Sequence, residues 1–282
     1  MSLRSRVSMF ACGLAAAMFV SVLSSPACAG TYTWDPASNG SLTGGAGAWN
    51  TGSVWYYSGS DVLWGDGNDA VFQGTGGSVT VSGTVTPTNI YFNGPGYSIS
   101  GGTVNFTYAG ATINTSAASA TINSAVTASN LYTAGTGALT ITGGLTATLL
   151  NQNSNSGQLT VIQPAGFSGT IGTVSATTSG TTVVLEGDPT STTNITNVLN
   201  TAGQTVTFNG GNWNLIAGGA YGSTLIVNSG LVTRPLAAPT GGDFFDLQSV
   251  TVNGGTLNLA NLYGMRMGNQ GGAGFNYPCR IS

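Results

Sequence analysis

From Gly76 onward the chain alternates between two kinds of residue. In each short run Thr, Ser or Asn takes every second position, Val, Ile or Leu takes the positions between, and Gly-Gly, Asn-Gly or Ser-Gly closes the run. SVTVSGTV begins at Ser78, YSISGGTVNF at Tyr97, ATIN at Ala111 and again at Ala120, and GTGALTITGG at Gly135. GQLTVI follows at Gly157, TTVVLEG at Thr181, QTVTFNGG at Gln204, STLIVNSG at Ser223 and SVTVNGGTLNLANL at Ser249. A period of two bounded by turn residues predicts half-buried strands. No stretch beyond the leader keeps a helical period, so the expected class is all-β.

Three all-β architectures can use such a pattern. A sandwich packs about seven to nine strands into about 100 residues, whereas this repeat continues from residue 76 to 264 at intervals of about 20 residues. A membrane barrel calls for segments of about ten residues flanked by aromatic girdles, and aromatics thin out after Tyr108. A parallel β-helix fits best: stacked coils bury columns of Val, Ile and Leu, turn Thr, Ser and Asn outward, and bend at glycine. The expected fold is a right-handed parallel β-helix (solenoid) with an aromatic-rich N-terminal capping segment. The expected boundaries are 1–29 signal peptide, 30–75 Trp-rich cap, 76–264 repeats and 265–282 irregular tail.

Composition fits a rod held without ion pairs. The 282 residues are 41% hydrophobic, enough for a core, but only 5% charged, with 45 glycines, no histidine and no lysine. Average proteins carry about 25% charged residues. Arg4 and Arg6 precede an apolar run from Met9 to Val22, and Ala27-Cys28-Ala29 supplies small residues for a signal peptidase, with Gly30 as the new N-terminus. Cys28 as a lipidated cysteine is a second reading, opposed by Ser25-Pro26-Ala27, a poor lipobox. After cleavage Arg234, Arg266 and Arg280 face eight carboxylates, a net charge of −5, which makes nucleic acid and anionic lipid poor partners. Cys279 then has no cysteine to pair with.

Candidate chemistry is sparse. WGDGNDAVF, residues 64–72, approaches the calcium nonapeptide of β-helices, but that motif binds between tandem copies and only one copy is present. An EF-hand register fails because Ala70 stands where a fifth-position oxygen is needed. The expectation is a structural turn, with Gly67 and Asn68 at the bend and Ala70, Val71 and Phe72 starting a strand. Without His or Lys, histidine-based triads, Ser-Lys dyads, histidine-bound zinc and lysine Schiff bases lack their parts. Carboxylate pairs remain: Asp66 with Asp69, Glu186 with Asp188, and Asp243 with Asp246. Each sits beside glycine or proline, where acids commonly serve turns. Arg234 and Arg266 read as solvated surface charges, and Cys279 as an inert thiol. GTGG at residues 74–77 lacks the Lys-Ser or Lys-Thr of a phosphate loop. Thr80, Thr84 and Thr86 raise a flat hydroxyl array that binds ice or polysaccharide, although β-branched residues suit strands anyway.

Residues 31–73 hold Trp34, Trp49, Trp55 and Trp64, four of the five tryptophans, with Tyr56 and Tyr57. This cluster reads as a plug over the first coil in preference to a sugar-stacking platform. The run from TYTWDPASNG through DGNDAVF, residues 66–72, then NIYFNGPGYSISGGTVNF, GTGALTITGG and GGTLNLANL, resembles bacterial proteins with autotransporter-associated β-strand repeats. The resemblance spans residues 31–145 well and 204–262 weakly. It implies a passenger-type β-helix exported to or beyond the bacterial surface. With the sparse chemistry above, the expected role is non-enzymatic, without cofactors, structural or adhesive, meeting surface polysaccharide or a host or neighbouring cell. GGAGFNYPCRIS, residues 271–282, offers neither the terminal barrel strand nor the sorting tail of such families, which suggests a truncated or a soluble secreted product. The competing reading is a carbohydrate-active β-helix hydrolysing polysaccharide with carboxylates.

Overall fold

The structure is a computed structural model that describes residues 29–116, 119–153, 157–176, 181–200, 204–216, 220–221, 224–234, 244–247, 249–259 and 264–267. It is all-β, and its strands stack in parallel as a β-solenoid. Among the described residues, antiparallel pairing is confined to one place: Trp55–Tyr57 runs against Ser60–Val62 and against Thr31–Trp34. A sandwich or an up-and-down barrel would need that pairing throughout.

Three sheets run along the stack, and the alternation in the sequence decides what each turns inward. In the first sheet Val79, Ile99, Ile122, Ile141, Val161, Leu185, Phe208 and Val227 pair each with the next in one unbroken column. All eight are buried. The second sheet continues Val85 through Val104 and Val126 to Leu145, and Ala147 through Ile171 and Ile195 to Leu215. The third sets Ala111, Leu131, Leu150, Val174 and Val198 in line. Each such aliphatic side chain contributes about 1.5–3 kcal/mol by leaving water, and no coil could bury its own column without neighbours above and below.

The corners between the first and second sheets need backbone that L side chains avoid. Gly83, Gly101, Gly210 and Gly211 sit there with φ of 70°, 79°, 70° and 67°. Coils also approach too closely for side chains at some corners: a Cβ on Gly76 would lie 2.0 Å from the Pro95 carbonyl oxygen.

Residues 30–75 join the same stack, because Thr31–Thr33 pairs in parallel with Asp69–Val71, and Gly47–Ala48 with Val79–Thr80. Trp34, Trp49 and Trp55 are fully buried, and their rings pack on one another and on Phe72 at centroid distances of 5.0 to 5.8 Å. Phe72 in turn stacks on Phe92 at 5.3 Å. At the far end Gly264–Met267 pairs with Phe244–Leu247, so a strand crosses the expected start of the tail.

One expectation is overturned. Arg234 is not a solvated surface charge; it is only 1% exposed. The alternation explains its position: Val232 faces inward, Thr233 does not, and Arg234 resumes the inward face. Burial on that face encloses the whole side chain, stem and guanidinium together.

Candidate functional site

The WGDGNDAVF segment folds as a turn locked to the coil above it. Gly67 takes φ 81°. Its N–H donates to the Thr86 carbonyl at 2.7 Å, and its own carbonyl accepts from Thr88 Oγ1 at 2.8 Å. Asp66 Oδ1 accepts from Trp64 Nε1 at 2.8 Å and from the Thr86 amide at 2.7 Å. Asn68 spans the turn, donating from Nδ2 to the Gly65 carbonyl at 2.8 Å and accepting at Oδ1 from the Gly30 amide at 2.7 Å. Strand Asp69–Phe72 follows directly. Asp69 Oδ1 accepts from Asn89 Nδ2 at 2.8 Å. The tight glycine turn and the strand after it are the features read from the sequence.

The candidate carboxylates Asp66, Asp69, Glu186 and Asp188 each have partners of their own. Asp66 and Asp69 each hold separate donors, as above. Glu186 lies on the outward face and accepts from Asn209 Nδ2 at 3.2 Å. Asp188 closes its own corner: Oδ1 accepts the Thr190 hydroxyl at 2.6 Å and the Thr190 amide at 2.8 Å. Those two bonds to Thr190 hold the Asp188 carboxyl below its usual range. Asp243, Cys279 and Arg280 lie outside the described residues, as does the leader 1–28. Asp246 is placed only by backbone register, opposite Tyr221 on one side and Arg266 on the other.

A carboxyl pair that the sequence does not reveal forms in the N-terminal segment. Asp35 is fully buried, and its Oδ2 accepts from the amides of Gly40 at 2.6 Å and Asn39 at 3.2 Å. Its Oδ1 is buried, as is Asp61 Oδ1, and neither meets a conventional donor. Burial first, then the negative charge of Asp35, push the Asp61 carboxyl above its usual range. Paired carboxyls serve acid–base catalysts elsewhere, but Asp35 has no exposed surface from which to reach a substrate. Of the pair, Asp61 lies on the hairpin strand Ser60–Val62 and Asp35 just past the end of Thr31–Trp34. Neither spacing nor motif could have found it, because the partners are far apart in sequence and meet only through the hairpin.

GTGG, residues 74–77, lies between coils: Cβ atoms on Gly74, Gly76 and Gly77 would meet neighbouring backbone at 2.3, 2.0 and 2.4 Å. A corner cavity lined by Thr115, Thr133, Leu139, Gln152 and Leu159 has a volume of about 10 Å³, room for about one water.

What the solenoid offers outward is regular polar surface. On the first sheet Ser78, Ser98, Thr121, Thr140 and Thr160 pair each with the next, one hydroxyl per coil. Coil spacing places them about 4.8 Å apart. The neighbouring outward column is tied laterally. Asn123 donates to Ser98 Oγ at 2.8 Å and accepts from Thr142 Oγ1 at 2.6 Å. Farther along, Asn253 donates to Asn228 at 2.7 Å, Asn228 to Asn209 at 2.9 Å, and Asn209 to Glu186. Every amide in this ladder points the same way, and the acceptor-only carboxylate terminates it. At the N-terminal end Tyr57 and Leu63 are exposed, with Tyr57 stacked on Tyr32 at 4.6 Å and Trp64 edge-on to Tyr32 at 5.5 Å.

No family model, curated protein or solved structure matches the chain.

Proposed function

We propose that this chain is a passenger-type module of a secreted or cell-surface protein, non-enzymatic, structural and adhesive, that engages surface polysaccharide or a neighbouring cell through a long face instead of a pocket. The observation that carries this reading is the outward column Ser78, Ser98, Thr121, Thr140 and Thr160, held in register one per coil by a rigid core. A repeating ligand meets a repeating surface, and the energy comes from many weak hydrogen bonds of about 0.5–1.5 kcal/mol each, made without reordering the scaffold. The leader-like residues 1–29 and the resemblance to autotransporter-associated repeats support export to the surface of a bacterium.

The test is binding of the purified exported chain to immobilised bacterial surface polysaccharide. Saturable binding is expected, weakened about tenfold when Thr121, Thr140 and Thr160 are together replaced by Val, which keeps strand propensity and removes three hydroxyls. Absence of saturable binding, or binding indifferent to the triple substitution, refutes the face. Turnover of the polysaccharide would favour the hydrolase reading.

A further inference from the structure

Gly30 is the residue expected to become the N-terminus when the leader is removed, and the fold treats its amide nitrogen in a particular way. Gly30 N donates to Asn68 Oδ1 at 2.7 Å, and the Gly30 carbonyl accepts from the Asp69 amide at 2.9 Å. Asn68 is held for this task, because its Nδ2 is bonded to the Gly65 carbonyl at 2.8 Å and its carbonyl accepts the Thr88 amide at 2.8 Å. The residue between leader and fold has no room for a side chain: a Cβ on Gly30 would come within 2.8 Å of Tyr57 Cε2 and 3.1 Å of Asn68 Oδ1. The Tyr57 ring is itself fixed by its stack on Tyr32, with planes 9° apart.

We infer that residues 65–69, with the Tyr57 ring, form a preformed dock for the α-ammonium group released when a signal peptidase hydrolyses the Ala29–Gly30 bond. Water supplies the hydroxide that leaves with the Ala29 carboxylate and the proton that completes the Gly30 amine. That amine takes up a further proton from solvent and keeps its bond to Asn68. Its new positive charge lies in a favourable setting. The Tyr57 ring is beside Gly30, Asp66 and Asp69 flank Asn68 in the sequence, and no Lys or Arg occurs between Arg6 and Arg234. This gives the single DGND turn a role that its calcium-like spelling does not: it receives the processed end of the chain and ties it to strand Asp69–Phe72. The inference rests on the export reading above.

The chain has no lysine, so after processing the α-amine is its only amine and amine-acylating reagents report on it alone. The exported protein is recovered, its intact mass measured, and its acylation rate at pH 7 compared folded and in urea. A mass beginning at Gly30 is expected, with folded protein labelled about tenfold more slowly, the factor for one unit of raised amine pKa. Asn68→Ala should restore the fast rate. Asn68→Asp keeps the acceptor for Gly30 but loses the bond to the Gly65 carbonyl, and should stay slow. Full-length unprocessed chain would sink the export reading and the dock with it. Correct processing with equal folded and unfolded rates would sink the dock alone, and so would an Asn68→Asp variant that labels as fast as Asn68→Ala.

Discussion

Trp34, Trp49 and Trp55 share one burial state and differ in one polar atom, which makes them a test of how this end of the core is held. All three are fully buried. Trp34 Nε1 donates to the Gly45 carbonyl at 2.9 Å and Trp55 Nε1 to the Trp49 carbonyl at 2.7 Å, whereas Trp49 Nε1 is buried without an acceptor. Replacement by Phe removes similar apolar volume in each case, about 2 kcal/mol at roughly 0.8 kcal/mol per methylene-sized group. In Trp55→Phe a buried carbonyl, and in Trp34→Phe a half-buried one, also loses its donor, which adds about 1–3 kcal/mol, the half-buried case at the lower end, for a total of about 3–5 kcal/mol. Trp49→Phe instead relieves an unpaired donor and recovers about 1–3 kcal/mol, leaving it near neutral. The expected gap of at least about 2 kcal/mol is about thirtyfold in the local unfolding equilibrium. Urea titration followed by tryptophan fluorescence reads it, because four of the five tryptophans lie in this segment. Pulse proteolysis checks it independently of the lost fluorophore. Equal midpoints for Trp49→Phe and Trp55→Phe would refute the polar accounting.

Three further outcomes are expected. Because the Asp61 carboxyl is held above its ordinary value, its protonated form contributes stability fully below the unfolded carboxylate pKa of about 3.9, and this is lost as pH rises through the folded value. The melting temperature of the N-terminal segment should therefore fall as pH rises from about 4 toward neutrality, and Asp61→Asn should flatten that slope; an unchanged slope refutes the raised carboxyl. Asn228→Ala breaks bonds at 2.9 and 2.7 Å in the middle of the ladder and should cost about 1–2 kcal/mol in a denaturant midpoint, with a shift under about 0.3 kcal/mol counting against the ladder. Gly76→Ala drives a Cβ into backbone at 2.0 Å, whereas Gly96→Ala meets nothing within 4 Å and bears only a φ of 76°. Expression and melting should show the first unfolded or displaced by more than about 3 kcal/mol and the second by about 1–2 kcal/mol.

The strands could be read directly because alternation maps one residue to one face. Ser-Val-Thr-Val at residues 78–81 already states which side chains point in, and a repeat too long for a sandwich already points to stacking. The same rule, carried two residues further from Val232, would have placed Arg234 inside; the expectation failed because it weighed charge above period. The turn at Gly67 was equally legible, since a Gly-Asn bend before the apolar run Ala70-Val71-Phe72 is a common turn signal.

What the chain alone determined is therefore local and periodic: strand, corner, inward column and outward hydroxyl, each set by chemistry within a few residues. What only the tertiary structure decided are the pairings between coils. Asp35 meets Asp61 and Asn209 meets Glu186. Gly30 reaches Asn68, and Trp49 is left with an unpaired donor where Trp55 is not. Each depends on register between distant segments, and a shift of one residue would turn every one of those side chains to the opposite face.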